Sequence, residues 1–300
     1  MTTLFGNPIS RARALGLIGA SATLAACGPG KGNSIAIGSK DFTEELILGE
    51  MYAQLLEHQG LTVVRKLDLG GTQVAMEAIQ RGDIDLYPEY TGTALVTELK
   101  RTPSKNAGAD FATIQREYAS RYSLVWLQPA PSNDTQALAT TEAIRARYKL
   151  SNLSDLAAAA PQLRLGAIPE FTKREDGLPG LQKAYGGFRF KDVKLFDIGL
   201  KYKALESAQV DVVVAFGTDG QIAVDHLFVF VDDKKFWPQY HVAPVVREDA
   251  LAKYPLIRTL DKIAPLLSDD VMRGLNAQVD GEKKDPADVA RAFLGAHALA

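Results

Sequence analysis

A single cysteine, Cys27, is all that the 300 residues contain, so no disulfide within the chain can form and stability has to come from a packed core. Only four histidines occur, His58, His226, His241 and His297, and they stand apart from one another and from the cysteine. The chain has no His-Glu-x-x-His, Cys-x-x-Cys, Gly-x-Ser-x-Gly or Gly-x-x-x-x-Gly-Lys segment. These absences weigh against the common zinc enzymes, serine hydrolases and P-loop nucleotide enzymes, and no cofactor or metal is expected. An active site assembled from distant residues escapes such a scan, so an exported enzyme stays as an alternative. Neither sign of charge prevails, with 34 Lys and Arg against 36 Asp and Glu. The bases are scattered rather than gathered into a stripe, which gives nucleic acid no surface to bind. Acidic pairs such as Asp83 and Asp85 flank a strand, where a rim or turn role is commoner than acid-base chemistry.

What the chain does have is apolar material, 46% of residues, which is enough for a core, and a length above the roughly 100 to 200 residues of one domain. Its N-terminus places Arg11 and Arg13 before an uncharged run of small and apolar residues, Ala14 to Ala26, followed at once by Cys27. That run is shorter than the about 20 residues a membrane span needs. In order and composition it resembles a bacterial lipoprotein signal. The expectation is a signal peptide over residues 1–26, lipid attachment at Cys27 and a flexible tether over 27–33, whose GPGKGN composition suits that role. The mature chain is then mildly acidic, exported, and held by its lipid in the periplasm or at the outer face of the cytoplasmic membrane.

Beyond the tether, Ser34 to Gly38 reads as a strand, and Asp41 with Glu44 as a capping box opening a helix to about Gln59. Thr62 to Leu67 and Ile84 to Tyr87 read as strands on either side of a helix from Thr72 to Arg81. Strands alternate with helices again from Leu163 to Phe216, and from Val242 a strand is followed by helices, among them Ile257 to Leu267. This alternation predicts an α/β protein whose sheets are mostly parallel and flanked by helices.

Laid against itself, the chain matches Gly38-Ser39-Lys40-Asp41-Phe42-Thr43 with Gly166 to Thr172 at an offset of 128 to 129 residues. Ala75 to Gln80 meets Ala204 to Gln209, Asp83 meets Asp211, and the strands then end alike in Tyr90-Thr91-Gly92-Thr93 and Phe216-Gly217-Thr218. The shared order predicts two lobes of similar topology. Lobe I is placed at 34–133 plus 242–300 and lobe II at 134–241, joined by a hinge of two crossovers near residues 134 and 241. Open α/β sheets bind at the carboxyl ends of their strands, so the lobes should enclose a cleft there.

Most aromatic side chains serve a core. Tyr87, Tyr90, Tyr202, Phe216, Trp237 and Tyr240 nonetheless sit beside post-strand turns, and as a set they form a cage for a quaternary ammonium group. Such a group donates no hydrogen bond and is held by cation-π attraction of roughly 0.5–2 kcal/mol per ring. A carboxylate on the same ligand needs a donor, for which Arg174 is the first choice and Lys40 the second. A surface or interlobe salt bridge is the alternative for either residue, and for Lys40 it accounts for the residue equally simply.

The segments Gly38 to Glu44, Gly82 to Thr93, Phe216 to Gly220 and Pro238-Gln239-Tyr240 resemble the glycine betaine, carnitine and choline binding proteins of osmoprotectant ABC importers, over about Ile35 to Leu294. The resemblance implies a two-lobed periplasmic-binding-protein-like (type II) fold and an aromatic cage in the cleft. It further implies no catalysis, a monomer, and delivery of a small molecule to membrane permease subunits. Carried over by position, Tyr90 and Thr93 fall in the family's Tyr-x-Gly-Thr turn, and Tyr202 and Tyr240 on further cage tyrosines. Gln136, in Asn133-Asp134-Thr135-Gln136-Ala137, stands where tight binders carry a tyrosine, and Phe216 replaces another. The implied ligand-binding set is Lys40, Tyr90, Thr93, Gln136, Arg174, Tyr202, Phe216 and Tyr240. A different small polar solute, such as an amino acid derivative, is the alternative ligand.

Overall fold

The computed structural model of the protein describes residues 34–104 and 106–299. The signal segment, Cys27 and the tether lie outside the described residues. Ten strands make two sheets of five. The first holds β1 (Ser34–Gly38), β2 (Thr62–Lys66), β3 (Leu86–Tyr90), β4 (Leu124–Trp126) and β10 (Val242–Arg247), in the order β2-β1-β3-β10-β4. The second holds β5 (Gln136–Thr140), β6 (Arg164–Ala167), β7 (Asp192–Leu195), β8 (Val212–Phe216) and β9 (Phe228–Val229), in the order β7-β6-β8-β5-β9.

The two orders are one topology used twice. β1 pairs in parallel with β2 and β3 as β6 does with β7 and β8. β10 runs antiparallel to β3 and β4, and β5 antiparallel to β8 and β9. Both sheets are therefore mixed, with one reversed strand each, and that strand is the one reached by a crossover between sheets. The chain leaves the first sheet after Trp126, enters the second at Gln136, and returns at Val242. Between them the two crossing segments lie side by side, Asp134 N donating to Tyr240 O at 3.1 Å and Tyr240 N to Asn133 Oδ1 at 2.7 Å.

Hydrogen bonding shows the repeat in finer register. Asp85 accepts from Ala36 N at 2.8 Å and returns its own N–H to Ala36 O at 2.7 Å, tying the start of β3 to β1. Asp211 makes the same pair of bonds with Arg164, at 2.8 and 2.9 Å, between β8 and β6. The counterpart of Asp211 is thus Asp85, not Asp83 as the sequence match suggests. Asp83 lies at the surface beside Arg81.

Helices cover the sheet faces. Ile35 and Ile37 of β1 pack with Ile47, Leu48 and Met51 of helix Thr43–His58, all fully buried. Gly82 and Gly186 end the helices Thr72–Arg81 and Leu178–Tyr185 in the left-handed conformation, at φ 72° and 71°, where a Cβ would be strained. Two expectations fail locally. The first helix has Phe42 as its N-cap with no side-chain cap bond, so Asp41 and Glu44 make no capping box: Glu44 turns inward, where buried donors compete for it. The stretch expected as one helix over 257–267 is two 3₁₀ segments, Pro255–Lys262 and Ala264–Leu266, because Pro265 has no N–H for an α-helical ladder.

Helix Asp269–Asp280 lies against the short helix Gly220–Val224 of the other sheet, and Gly220 sets their spacing. A Cβ there would lie 2.6 Å from Ala277 N and 2.7 Å from Asn276 C, backbone atoms that cannot swing aside. Gly220→Ala is expected to cost about 1–3 kcal/mol of stability through overpacking, read as a lowered denaturant midpoint. Ala substituted at Gly295, where a Cβ meets nothing within 4 Å, is the control and should be neutral or stabilising.

Candidate functional site

The parallel strands of each sheet deliver their carboxyl ends to one edge, and the reversed strands β5 and β10 begin there. The turns after β1, β3, β6, β7 and β8 and the lead-ins to β5 and β10 line a single cavity of about 520 Å³. Of the eight side chains singled out from the sequence, Lys40, Tyr90, Thr93, Gln136, Arg174, Phe216 and Tyr240 line it. Tyr202 does not. It sits on helix Lys201–Glu206, packs with Ala137, Leu205 and Val213, and donates its hydroxyl to Asp219, lining a smaller void of about 140 Å³ instead.

Phe42, Phe171 and Phe196 complete the apolar wall. Phe42 follows β1 and stands between two of the expected rings, with centroids 6.1 Å from Tyr90 and 6.4 Å from Phe216, nearly parallel to the latter at 13°. Its place after a strand end marks it as crevice-facing in the sequence. Phe196 directly follows β7 in the same way, a strand not among those singled out from the sequence. Two of the cavity rings have a resident cation, Lys40 at Tyr90 and Lys201 at Phe216: Lys201 Nζ lies 5.2 Å from the centroid of Phe216 and 4.3 Å from that of Tyr202. Lys201 is 1% exposed and bonded to Ile198 O at 3.1 Å.

The two bases on the wall are matched by acids just behind it. Lys40 Nζ lies 2.6 Å from Glu89 Oε1, 3.8 Å from Glu45 Oε1 and 4.8 Å from the Tyr90 ring centroid. Burial opposes the Lys40 charge, but Glu89 and Glu45 outweigh it and hold the ammonium above its ordinary range. Arg174 grips Asp176 with Nε and Nη2 at 2.7 and 2.5 Å, and Nη2 reaches across to Thr93 Oγ1 at 3.3 Å. Its two Nη1 N–H groups have no protein acceptor among the described residues. Burial pushes Asp176 up, yet Arg174 and the Tyr240 hydroxyl, donating at 2.6 Å, hold it below the usual carboxylate range. Gln136 Nε2 approaches the same hydroxyl at 3.5 Å.

Across the mouth, Glu170 accepts from Thr72 N at 3.2 Å at the start of helix Thr72–Arg81. Gly71 makes this approach possible, since a Cβ there would lie 2.0 Å from Glu170 Oε1. A helix N-terminus attracts anions, and here one of the protein's own carboxylates fills it. Among the described residues no cluster of His, Cys, Asp and Glu is suited to a metal ion, and no helix is long and apolar enough to cross a membrane.

Two like sheets facing each other across a ring-lined cavity define a solute-binding protein. Residues 33–296 match the family described as the substrate binding domain of the ABC-type glycine betaine transport system, and the chain belongs to that family of binding proteins, which are not enzymes. It is 37% identical over 262 residues to the ergothioneine transport permease/ergothioneine binding protein of Helicobacter pylori, covering 87% of this chain but only 47% of that one, so it spans about half that relative's length. It is 36% identical over 291 residues to a glycine-betaine-binding protein of Pseudomonas aeruginosa, covering 93% of each. A crystal structure described as a glycine betaine/carnitine/choline ABC transporter superposes with a TM-score of 0.72 at 31% identity, over 88% of this chain and 99% of the other.

Glu45 is fully buried between Lys40 and Glu89, and burial pushes its carboxyl up to about 8 despite the nearby ammonium. Folded protein therefore keeps a proton that the unfolded chain loses near pH 4.5, so stability is greatest below that pH and declines as pH rises towards about 8. Glu44 and Asp134 shift in the same direction. Thermal unfolding from pH 4.5 to 8.5 should show the midpoint falling, and Glu45→Gln should flatten the fall. A midpoint that climbs through this window in the wild type contradicts the assignment.

Proposed function

We propose that this chain is the exported solute-binding subunit of an ABC importer, anchored by lipid at Cys27, which closes on a small quaternary ammonium or betaine and hands it to the permease. In this reading residues 34–133 with 242–300 form one lobe and 134–241 the other, and they rock about the two crossing segments that Asn133, Asp134 and Tyr240 tie together. What carries it is one observation: Phe42, Tyr90, Phe216 and Tyr240 meet at a single cavity between the sheets.

The rings surround the ammonium head, which needs apolar, electron-rich faces and offers no hydrogen bond. Arg174 directs its free Nη1 at a carboxylate, with Thr93 and Gln136 as uncharged polar neighbours. Lys40, on the wall, acts through its ion pair with Glu89, which fixes the turn that carries Tyr90. Tyr202 supports from behind, through Asp219, which also accepts from Phe216 N at 3.0 Å.

The size of the cavity favours a second reading of the ligand. About 520 Å³ exceeds what a molecule of about eight non-hydrogen atoms such as glycine betaine requires, and Asp68, Glu170 and Asp197 line the remainder with acceptors. A larger betaine derived from an amino acid, with ring N–H donors, fits that half. Ergothioneine has this chemistry, and it is named for the relative from Helicobacter pylori.

Titration calorimetry of the mature protein with glycine betaine, choline, carnitine, proline betaine and ergothioneine tests both readings. At least one should bind with micromolar affinity or better; silence from folded protein with all five removes the ligand class. Phe216→Leu should weaken the bound compound roughly 2- to 30-fold, the share of one ring. Arg174→Lys should weaken carboxylate-bearing ligands at least tenfold and choline little. Equal losses for both would sink the role given to Arg174.

A further inference from the structure

Below the ring-lined cavity, one hydroxyl sits between two carboxyl groups. Thr218 Oγ1 lies 2.5 Å from Glu44 Oε2 and 2.6 Å from Asp134 Oδ1, and the three side chains are 1%, 3% and 7% exposed for Thr218, Glu44 and Asp134. A hydroxyl has one proton, so it donates to one carboxylate and can only accept from the other. Both short contacts are hydrogen bonds only if a carboxyl supplies the second proton. The remaining partners are all donors: Tyr90 hydroxyl to Glu44 Oε1 at 2.9 Å, Asn276 Nδ2 to Glu44 Oε2 at 2.8 Å, and Thr218 N to Asp134 Oδ1 at 3.1 Å. None of them can take that proton away.

The pair spans the cleft, because Glu44 opens helix Thr43–His58 on the first sheet whereas Thr218 and Asp134 flank β8 and β5 of the second. Among the described residues no cation pairs with it directly. Facing it are Asp41 and Glu45 from the first turn of that helix and its lead-in, Tyr90 from β3, and Tyr240 and His241 from the lead-in to β10. From the other lobe come Asp219, Lys201 and Tyr202, and from helix Asp269–Asp280 come Asp269, Arg273 and Asp280. Lys201 pairs with Asp219 at 3.5 Å, Arg273 with Asp269 and Asp270, and Lys40 with Glu89. His241 turns its ring to Ser132 O. With no cation beside them, two carboxyl groups buried this close resist a second ionisation, and they titrate as one unit that retains a proton. Burial pushes both up, in keeping with this. Of the two, Asp134 lines the cavity and Glu44 does not.

We propose that Asp134 is the counter-ion that selects a cationic head in this cavity, and that the head enters by exchange for the proton Asp134 shares with Glu44 through Thr218. This rests on reading the cavity as a quaternary ammonium site. Before binding, the pair carries one negative charge and one proton. The arriving cation favours the doubly ionised pair, the proton leaves to solvent, and Thr218 keeps its own proton on one carboxylate. An uncharged molecule of the same shape leaves the proton in place and gains no ion pair, so it is not held.

Calorimetry in buffers of different ionisation enthalpy counts the protons released. With glycine betaine, choline and tetramethylammonium as probes, wild-type protein should release up to one proton per ligand. Affinity should rise with pH by as much as tenfold per unit while the proton is held, and 3,3-dimethylbutanol, the uncharged isostere of choline, should not bind. Asp134→Asn should abolish proton release and weaken binding at least tenfold. Glu44→Gln leaves Asp134 ionised, so proton release and pH slope should vanish from whatever binding the variant keeps, since Glu44 also holds the Tyr90 hydroxyl. Glu45 faces Lys40 and Glu89 rather than the cavity, so these variants separate its titration from that of the pair. Heat without proton release, or equal binding of the uncharged isostere, overturns the proposal and leaves the binding site standing. Absence of binding by every probe overturns both.

Discussion

A charge taken out of water has to be matched where it lies, and that constraint shapes the cleft of this protein more than any other. Lys40 reaches Glu89, Arg174 reaches Asp176, and the start of helix Thr72–Arg81 reaches Glu170. Each of these is a place where a ligand carboxylate could otherwise sit, and each is already answered by the chain itself. What stays open is narrower: the faces of several rings, one nitrogen of Arg174, and an acidic wall. The cavity is organised around its own ion pairs, and only the valences they leave are open to a ligand.

Those pairs also hold the rings. Tyr240 is fixed by its bond to Asp176, Tyr90 by Glu44 at its hydroxyl and Glu89 at its amide, and Phe216 by Asp219 at its amide. An aromatic cage is useful only when its faces keep their distance and angle, since a collapsed cage fills itself. The lysines over Tyr90, Tyr202 and Phe216 show the alternative, ring faces met from within the chain. Polar bonds at the edges of the rings, placed on turns whose backbone is set by two sheets, keep the remaining faces apart.

Much of the architecture is legible along the chain. Alternating strands and helices, repeated after 128 to 129 residues, correspond to two sheets with one strand order, and the strand ends that matched in sequence are the turns that line the cavity. Local chemistry misled at finer scale. Asp41 and Glu44 have the spacing of a capping box, yet Glu44 is drawn inward by Tyr90, Thr218 and Asn276, the last two far away in the chain. Asp83 and Asp85 are equivalent on paper, and only the ladder to Ala36 distinguishes them. Tyr202 was placed among the cage residues by position alone, but its helix packs that side chain behind the wall.

By itself, the sequence determined the periodicity of its elements, the duplication, the absence of disulfide support, and the clustering of rings and bases after strands. All of these depend on neighbours within a few residues or on a regular repeat. Tertiary structure alone decided which face each ring shows, that Lys40 is already paired with Glu89, and that Glu44 and Asp134 meet over the hydroxyl of Thr218. Those outcomes bring together groups 46 to 174 residues apart in the chain. Distance in a folded chain is set by how sheets pack, and no local pattern records it.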